Sequence, residues 1–345
     1  MKIKEIETSI IIPILNEEKY IEHTVDSVIS GTKNIDDMEL LLVDGGSSDN
    51  TLSILNKLKN KHSFIRILHN SKREIAPALN LAIKESKGKF IVRMDAHAEF
   101  PKNYVNILIN ALKEMPDEVA NVGGTLETKS MSGNLVGETI AIVSSSKLGV
   151  GNTLFRTEKI SELRYVDTVP FGTFRKDSLL SVGCFNEHVG TSEDLELNNK
   201  LRSAGYKIAM LPNVSFVYFC RENLRPFIIQ QFDNGSCVMN KNSFSKSFYK
   251  LRHYIPMAFT LYLISLIIIA LSQLSLLKII ATLPFALYIF IAIILGLAHA
   301  MQKRNPLFIL TVPIMLLTLH LSYGFGSIYG LLQIPFPFLR SMKRK

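Results

Sequence analysis

Three short stretches of this sequence carry acidic residues where they could act on a substrate. Asp44-Gly45-Gly46-Ser47 follows one apolar run and precedes a helical one. Its glycines would let backbone approach a ligand closely, and the Asp44 carboxylate could accept from a base N–H or a ribose hydroxyl. The same residue types also suit a plain strand-to-helix turn, with Asp and Ser as caps. Asp95 and His97 end a second apolar run, two positions apart on an extended segment, and so face the same side. One carboxylate and one imidazole suit a divalent cation, Mn²⁺ accepting His more readily than Mg²⁺, and such an ion would offset charge on a leaving diphosphate. A loop-capping Asp beside an exposed His is the bland alternative. Ser192-Glu193-Asp194 opens a helix, where acidic residues serve as caps and dipole partners, or where one carboxylate could deprotonate a hydroxyl.

These groups need a frame, and the hydropathy pattern supplies one. Ser9–Leu15, Leu40–Val43, Phe64–Leu68 and Phe90–Met94 read as buried strands, and Tyr20–Ile29, Thr51–Leu58 and Ile75–Ser86 as helices between them. Four strands alternating with helices within a hundred residues predict an α/β fold with a mostly parallel sheet. Asn16, Asp44 and Asp95 then fall at strand ends, where open α/β sheets bind ligands. Residues 120–215 read as more mixed, with short strands Ala120–Gly124 and Ile208–Leu211 around a helix at Asp194–Ala204. The Asp44 turn is not a P-loop, because the chain contains no GxxxxGK[ST].

The C-terminal third is a different material. Tyr254–Leu271 and Ile279–Ala300 are uncharged, with lengths of about 18–22 residues that suit bilayer spans. Leu307–Leu332 is a third candidate, interrupted by Pro313, His320, Gly324 and Gly326. Basic residues flank these segments: Lys246, Lys250 and Arg252 before them, Lys303 and Arg304 between the later two, and Arg340, Lys343, Arg344 and Lys345 at the end. The net charge of +9 is therefore read as membrane topology and lipid contact rather than nucleic-acid binding. Three full spans starting in the cytosol would leave the basic tail outside, against the positive-inside tendency, so the third segment stays open between a span and a re-entrant or interfacial helix. Cys184, Cys220 and Cys237 are scattered and odd in number, which fits a reducing compartment. The first apolar run, of about seven residues, reads as a strand rather than a secretory signal, placing the N-terminal domain in the cytosol.

In order, the chain carries Pro13-Ile-Leu15-Asn-Glu17, Val43-Asp44-Gly-Gly-Ser-Ser-Asp49-Asn-Thr51, Ala78-Leu-Asn80, Gly88-Lys-Phe-Ile-Val-Arg93-Met-Asp95-Ala-His97, Phe171-Gly-Thr-Phe-Arg175, Val182-Gly-Cys-Phe-Asn-Glu187 and Glu193-Asp194-Leu-Glu196. Along residues 8–240 this series resembles the family 2 glycosyltransferases of the GT-A fold, and most of all those of succinoglycan-type exopolysaccharide biosynthesis. The resemblance implies a GT-A domain over residues 1–240; charge and hydropathy add a basic linker over 241–253, a membrane region of two to three helices over 254–335 and a basic tail over 336–345. It implies that Pro13, Leu15 and Glu17 line the nucleotide base pocket, that Asp44 reads the base, and that Arg73 lies near the donor. Asp95 would be the metal and diphosphate ligand with His97 beside it, and Asp194 the base of an inverting displacement. His97 stands where relatives have a second Asp, which leaves the metal open between Mn²⁺ and Mg²⁺. The Gln-x-x-Arg-Trp motif of processive synthases is missing and the chain has no Trp, so one sugar is expected per binding event. The implied substrates are a nucleotide sugar, uridine-linked by default, and a polyprenyl-linked glycan at a bacterial plasma membrane. A polyprenyl-phosphate sugar synthase and a catalytically inactive membrane scaffold are the competing readings.

Overall fold

The computed structural model describes residues 5–32, 35–239, 249–271 and 275–334. The chain divides into two compact units, Met1–Glu127 with Leu154–Phe219, and Thr128–Thr153 with Cys220–Lys345. The span expected for the first domain is therefore interrupted by a helical segment that belongs to the second unit. Most of the expected linker, Lys246 included, and the basic tail Arg340–Lys345 lie outside the described residues.

The first unit is built on β1 (Thr8–Ile14), β2 (Met38–Asp44), β3 (Ile65–His69), β4 (Phe90–Arg93), β5 (Ala98–Glu99), β6 (Val119–Lys129, whose last residues enter the second unit), β7 (Arg164–Tyr165), β8 (Thr173–Arg175) and β9 (Lys207–Phe219). They form one sheet in the order β3-β2-β1-β4-β8-β6-β9-β5, with β7 beside β9. Only β3-β2-β1-β4 run parallel; β8 enters antiparallel to β4 and to β6, and β5 and β7 antiparallel to β9. The sheet is thus mixed. Parallel neighbours need a crossover helix, and the repeating strand-helix pattern supplies those connections only for the first four strands. Helices α1 (Ile21–Ser30), α2 (Thr51–Lys61), α3 (Ile75–Glu85) and α4 (Tyr104–Glu114) flank it.

The uninterrupted apolar runs have a physical cause. Ile10, Ile12, Leu40 and Leu42 face one core, while Ile11, Leu41 and Val43 face another on the opposite side of the sheet. Each such side chain contributes roughly 1.5–3 kcal/mol on full burial. Strands covered on both faces have no polar side to alternate with. The register pairs Ile14 with Asp44 and Asp44 with His69, so the parallel strands end level and their loops gather along one edge.

The second unit is helical. It contains α5 (Leu135–Ser145), with shorter turns after it, a helix at Leu224–Val238, and helices Ile255–Ala270, Ser275–Lys303 and Phe308–Leu332. Ile255–Ala270 has 16 residues, about 24 Å at 1.5 Å per residue, against a hydrocarbon core of about 30 Å. The other two are long and apolar enough to cross a membrane. Leu283, Leu287 and Phe290 of Ser275–Lys303 are each about 60% exposed, an outward apolar face unlike that of a buried core helix. Phe308–Leu332 runs as one helix through Pro313. Its Gly326 and Gly330 leave room for the backbone of Phe232 and Ser236 in the helix Leu224–Val238.

Candidate active site

The loop after β2 is held by its own acid. Asp44 accepts from Gly46 N (3.0 Å), from Ser47 N (3.2 Å) and from the Ser47 hydroxyl (2.6 Å), and is 3% exposed. Its carboxylate therefore shapes the turn whatever else it meets. Asn16, at a φ of 56°, clasps the same loop: its backbone N–H donates to Ser47 Oγ, and its side-chain oxygen accepts from Ser48 N. Gly45 completes the close packing, with Ile14 O and Arg73 Cα within 3.6 Å of where its Cβ would stand. Arg73 is thereby placed beside the strand ends, itself left-handed at a φ of 58°. Non-glycine residues in that region cluster at functional sites because the fold must impose the strain. Leu15 is exposed at the same edge, Pro13 is half-buried in β1, and the Glu17 backbone N–H donates to Thr51 Oγ1.

Asp95 follows β4 and differs from Asp44 in one respect that matters. Among the described residues its carboxylate makes no hydrogen bond; Arg93 Nη2 stands 3.8 Å away and His97 Nε2 3.9 Å away. The fold has left this acid open. Its backbone is fixed by Thr24, whose buried hydroxyl lies 2.8 Å from both Ala96 O and Ala98 O, and by Phe219 N donating to His97 O.

His97 is engaged at both ring nitrogens, Nδ1 3.0 Å from Glu17 Oε1 and Nε2 3.2 Å from Tyr218 Oη. Burial works against a charge on this ring, but the neighbouring Tyr218 and the carboxylates of Glu17 and Asp95 outweigh it and push its pKa up to about 10. No group of three or more His, Cys, Asp or Glu among the described residues could hold an ion alone. The residues present fit a divalent ion shared between the open Asp95 and a ligand's phosphate oxygens, as hard cations allow.

The third acid stands in the first turn of the helix Glu193–Ser203. The Ser192 side chain makes no capping bond, and the Asp194 carboxylate turns instead to Arg93 Nη1. Arg93 Nη2 donates to Glu193 Oε1 at 2.8 Å. Arg93 is 4% exposed, with its guanidinium 5.4 Å from the Phe171 ring centroid and 5.9 Å from that of Phe185. Asp95 and Asp194, far apart in sequence, thus meet one buried cation. Arg93, Phe171 and Tyr218 were not among the candidate residues of the sequence; a charge inside the apolar run Phe90–Met94 was the available signal for the first.

The sheet order, the open acid at its edge and the second acid on a helix N-terminus define the GT-A fold of nucleotide-sugar transferases. Residues 9–175 match the family model for glycosyl transferase family 2. A dolichyl N-acetyl-alpha-D-glucosaminyl phosphate 3-beta-D-2,3-diacetamido-2,3-dideoxy-beta-D-glucuronosyltransferase of Methanococcus voltae is 30% identical over 94% of this chain and 97% of its own length. Succinoglycan biosynthesis protein ExoA of Rhizobium meliloti is 26% identical over 92% of each chain. Among solved structures, the mannosyltransferase PcManGT from Pyrobaculum calidifontis, in complex with GDP-Man and Mn²⁺, shares the fold with a TM-score of 0.61, at 18% identity over 94% of this chain and 87% of that one. The chain belongs to glycosyl transferase family 2, and it is a glycosyltransferase.

Proposed function

We propose that this chain is an inverting, membrane-anchored glycosyltransferase that moves one sugar from a nucleotide diphosphate sugar to a hydroxyl of a lipid-linked glycan. The observation that carries the reading is the pair of acids around Arg93: Asp95 open at the sheet edge, Asp194 on the helix N-terminus. Asp194 takes the proton of the acceptor hydroxyl as that oxygen attacks the anomeric carbon, and the bond to the diphosphate breaks on the opposite face with inversion. Pro13, Leu15, Glu17 and Asp44 border the nucleotide base and Arg73 the donor's charged end, while Asp95 receives the diphosphate. A divalent ion, Mn²⁺ or Mg²⁺, held by Asp95 and the donor's phosphates, would offset charge on the leaving group. Mn²⁺ and GDP-Man accompany the PcManGT structure, and a dolichyl-linked sugar phosphate stands in the name of the M. voltae relative. These support the ion and the lipid-linked acceptor. Uridine diphosphate sugars are the default donors.

We read the apolar C-terminal helices as a multi-pass anchor that leaves the catalytic unit in the cytosol of a bacterial cell. Anchoring raises the effective concentration of a lipid-borne acceptor without any added contact at the site.

The test is a screen of nucleotide sugars against the membrane-purified protein, reading nucleoside diphosphate release with Mn²⁺ or Mg²⁺, beside Asp95→Ala. Release from one donor that vanishes in the variant is the expected result. Donor binding without turnover on any lipid-linked acceptor would instead mark an inactive scaffold.

A further inference from the structure

We propose that Arg93, whose guanidinium lies against the rings of Phe171 and Phe185, is the positioning residue that aims the Asp194 carboxylate at the donor centre marked by Asp95. The inference rests on the reading of Asp194 as the base.

The geometry is specific to a guanidinium. One terminal nitrogen, Nη2, is committed to Glu193 at 2.8 Å and faces Asp95 at 3.8 Å; the other, Nη1, meets Asp194. A planar fork can serve Glu193 and Asp194 with two nitrogens held at a fixed angle, whereas a lysine ammonium offers one point charge on a flexible stem. Glu193 is buried at 4% exposure and lines no open surface, so its part is to lock the guanidinium plane. Nη1 meets Asp194 as an ion pair, and neither it nor Nε makes a hydrogen bond among the described residues. What covers the guanidinium is aromatic, from Phe171 and Phe185.

The fold strains its backbone to place one of those rings. Phe171 has a φ of 62° and the following Gly172 a φ of 79°. A bulky side chain in the left-handed region is uncommon and persists only where its surroundings impose it. Here Gly172 O accepts from Arg93 N at 3.0 Å, while the Phe171 ring packs against Phe216 and Tyr218. The strained dipeptide thus holds Arg93 through its backbone and its ring together. Strand β4 carries both Arg93 and the approach to Asp95, so the arginine links the donor acid and the acceptor base through one rigid element. Misplacing a reacting group by about 1 Å can cost on the order of 100-fold in rate.

The experiment uses the full-length protein in detergent or lipid, with the donor found in the screen, and compares Arg93→Lys, Asp194→Asn, their double variant and Phe171→Leu. The readouts are kcat, donor KM, UDP or GDP binding by calorimetry, and Tm. Arg93→Lys is expected to lower kcat by about 100-fold, with donor KM and nucleotide binding within about threefold of the parent. The double variant should be no slower than Asp194→Asn alone, because both changes disable the same act. Phe171→Leu should follow the same pattern with about a tenfold loss. Should Arg93→Lys fail to fold, Phe171→Leu decides on the same readouts. Arg93→Lys or Phe171→Leu at full kcat beside a dead Asp194→Asn would overturn this inference alone, as would losses that multiply in the double variant. Full kcat in Asp194→Asn would overturn the base assignment and this inference with it.

Discussion

The Nδ1 atom of His97 lies 3.0 Å from Glu17 Oε1, so the imidazole two positions after Asp95 is spent on holding an acid of another loop. His97→Gln should therefore leave the Mn²⁺ concentration for half-activation within about threefold. It should lower Tm instead, since Glu17 is left buried without its cation at a cost of about 1–3 kcal/mol. Metal titration and thermal melting of the same preparation check both halves. A tenfold higher metal requirement with unchanged Tm would make His97 a ligand.

At Gly172, beside the site, an added methyl group has nowhere to go. An added Cβ would stand 2.9 Å from the Phe174 ring and closer still to the Asn121 side chain, at a φ of 79°. Gly172→Ala should cost about 1–3 kcal/mol from overpacking, plus the backbone strain. The expected readout is a Tm several degrees lower, measured by circular dichroism; a parental Tm would refute the packing argument.

Stability should also depend on acid through Glu39, at the opposite end of β2 from Asp44. Burial alone would raise its pKa, but Lys87 N, the Ser9 hydroxyl and Arg66 all donate to the carboxylate, at 2.6–2.7 Å, and hold it below its ordinary value. A carboxyl lowered on folding adds stability above its unfolded pKa of about 4.3, which is lost as pH falls through the folded value. Glu39→Gln should thus cost about 1–3 kcal/mol at pH 7. The gap to the parent should narrow below about pH 4, in melts run at both pH values. A gap independent of pH would show that the charge contributes nothing.

Leu287 lies in the outward apolar face of Ser275–Lys303. Leu287→Arg should disfavour insertion by about 2.5–3.5 kcal/mol if that helix spans a bilayer. Carbonate-washed membranes should retain the parent chain and lose a measurable share of the variant. Equal retention would argue that this face meets protein rather than lipid.

With one donor and one acceptor, mass spectrometry should find a single added sugar. A ladder of products would show processive synthesis despite the missing Gln-x-x-Arg-Trp motif.

The sequence alone carried the first four strands, the helices between them, the three acid-bearing motifs and the apolar C-terminal segments. Those features are local: apolar runs, helical spacing and turn residues act within a few positions. Boundaries moved mainly where strands extend beyond their apolar core, as in β6 and β9, which run past the expected Ala120–Gly124 and Ile208–Leu211. The third apolar segment, open in the sequence between a span and a re-entrant or interfacial helix, is one continuous helix, Phe308–Leu332, while the expected span Tyr254–Leu271 holds a helix of 16 residues, Ile255–Ala270.

Tertiary structure decided which acids are committed and which are open. Asp44, Asp95 and Asp194 looked alike as carboxylates at element ends. Folding closed Asp44 into its own turn, left Asp95 without a hydrogen bond among the described residues, and tied Asp194 and its neighbour Glu193 to an arginine far away in sequence. A motif's spacing can place an acid at a sheet edge, because that depends on neighbours in sequence. Whether a donor from another element reaches it depends on packing between distant segments, and that packing sets the charge and aim of the group.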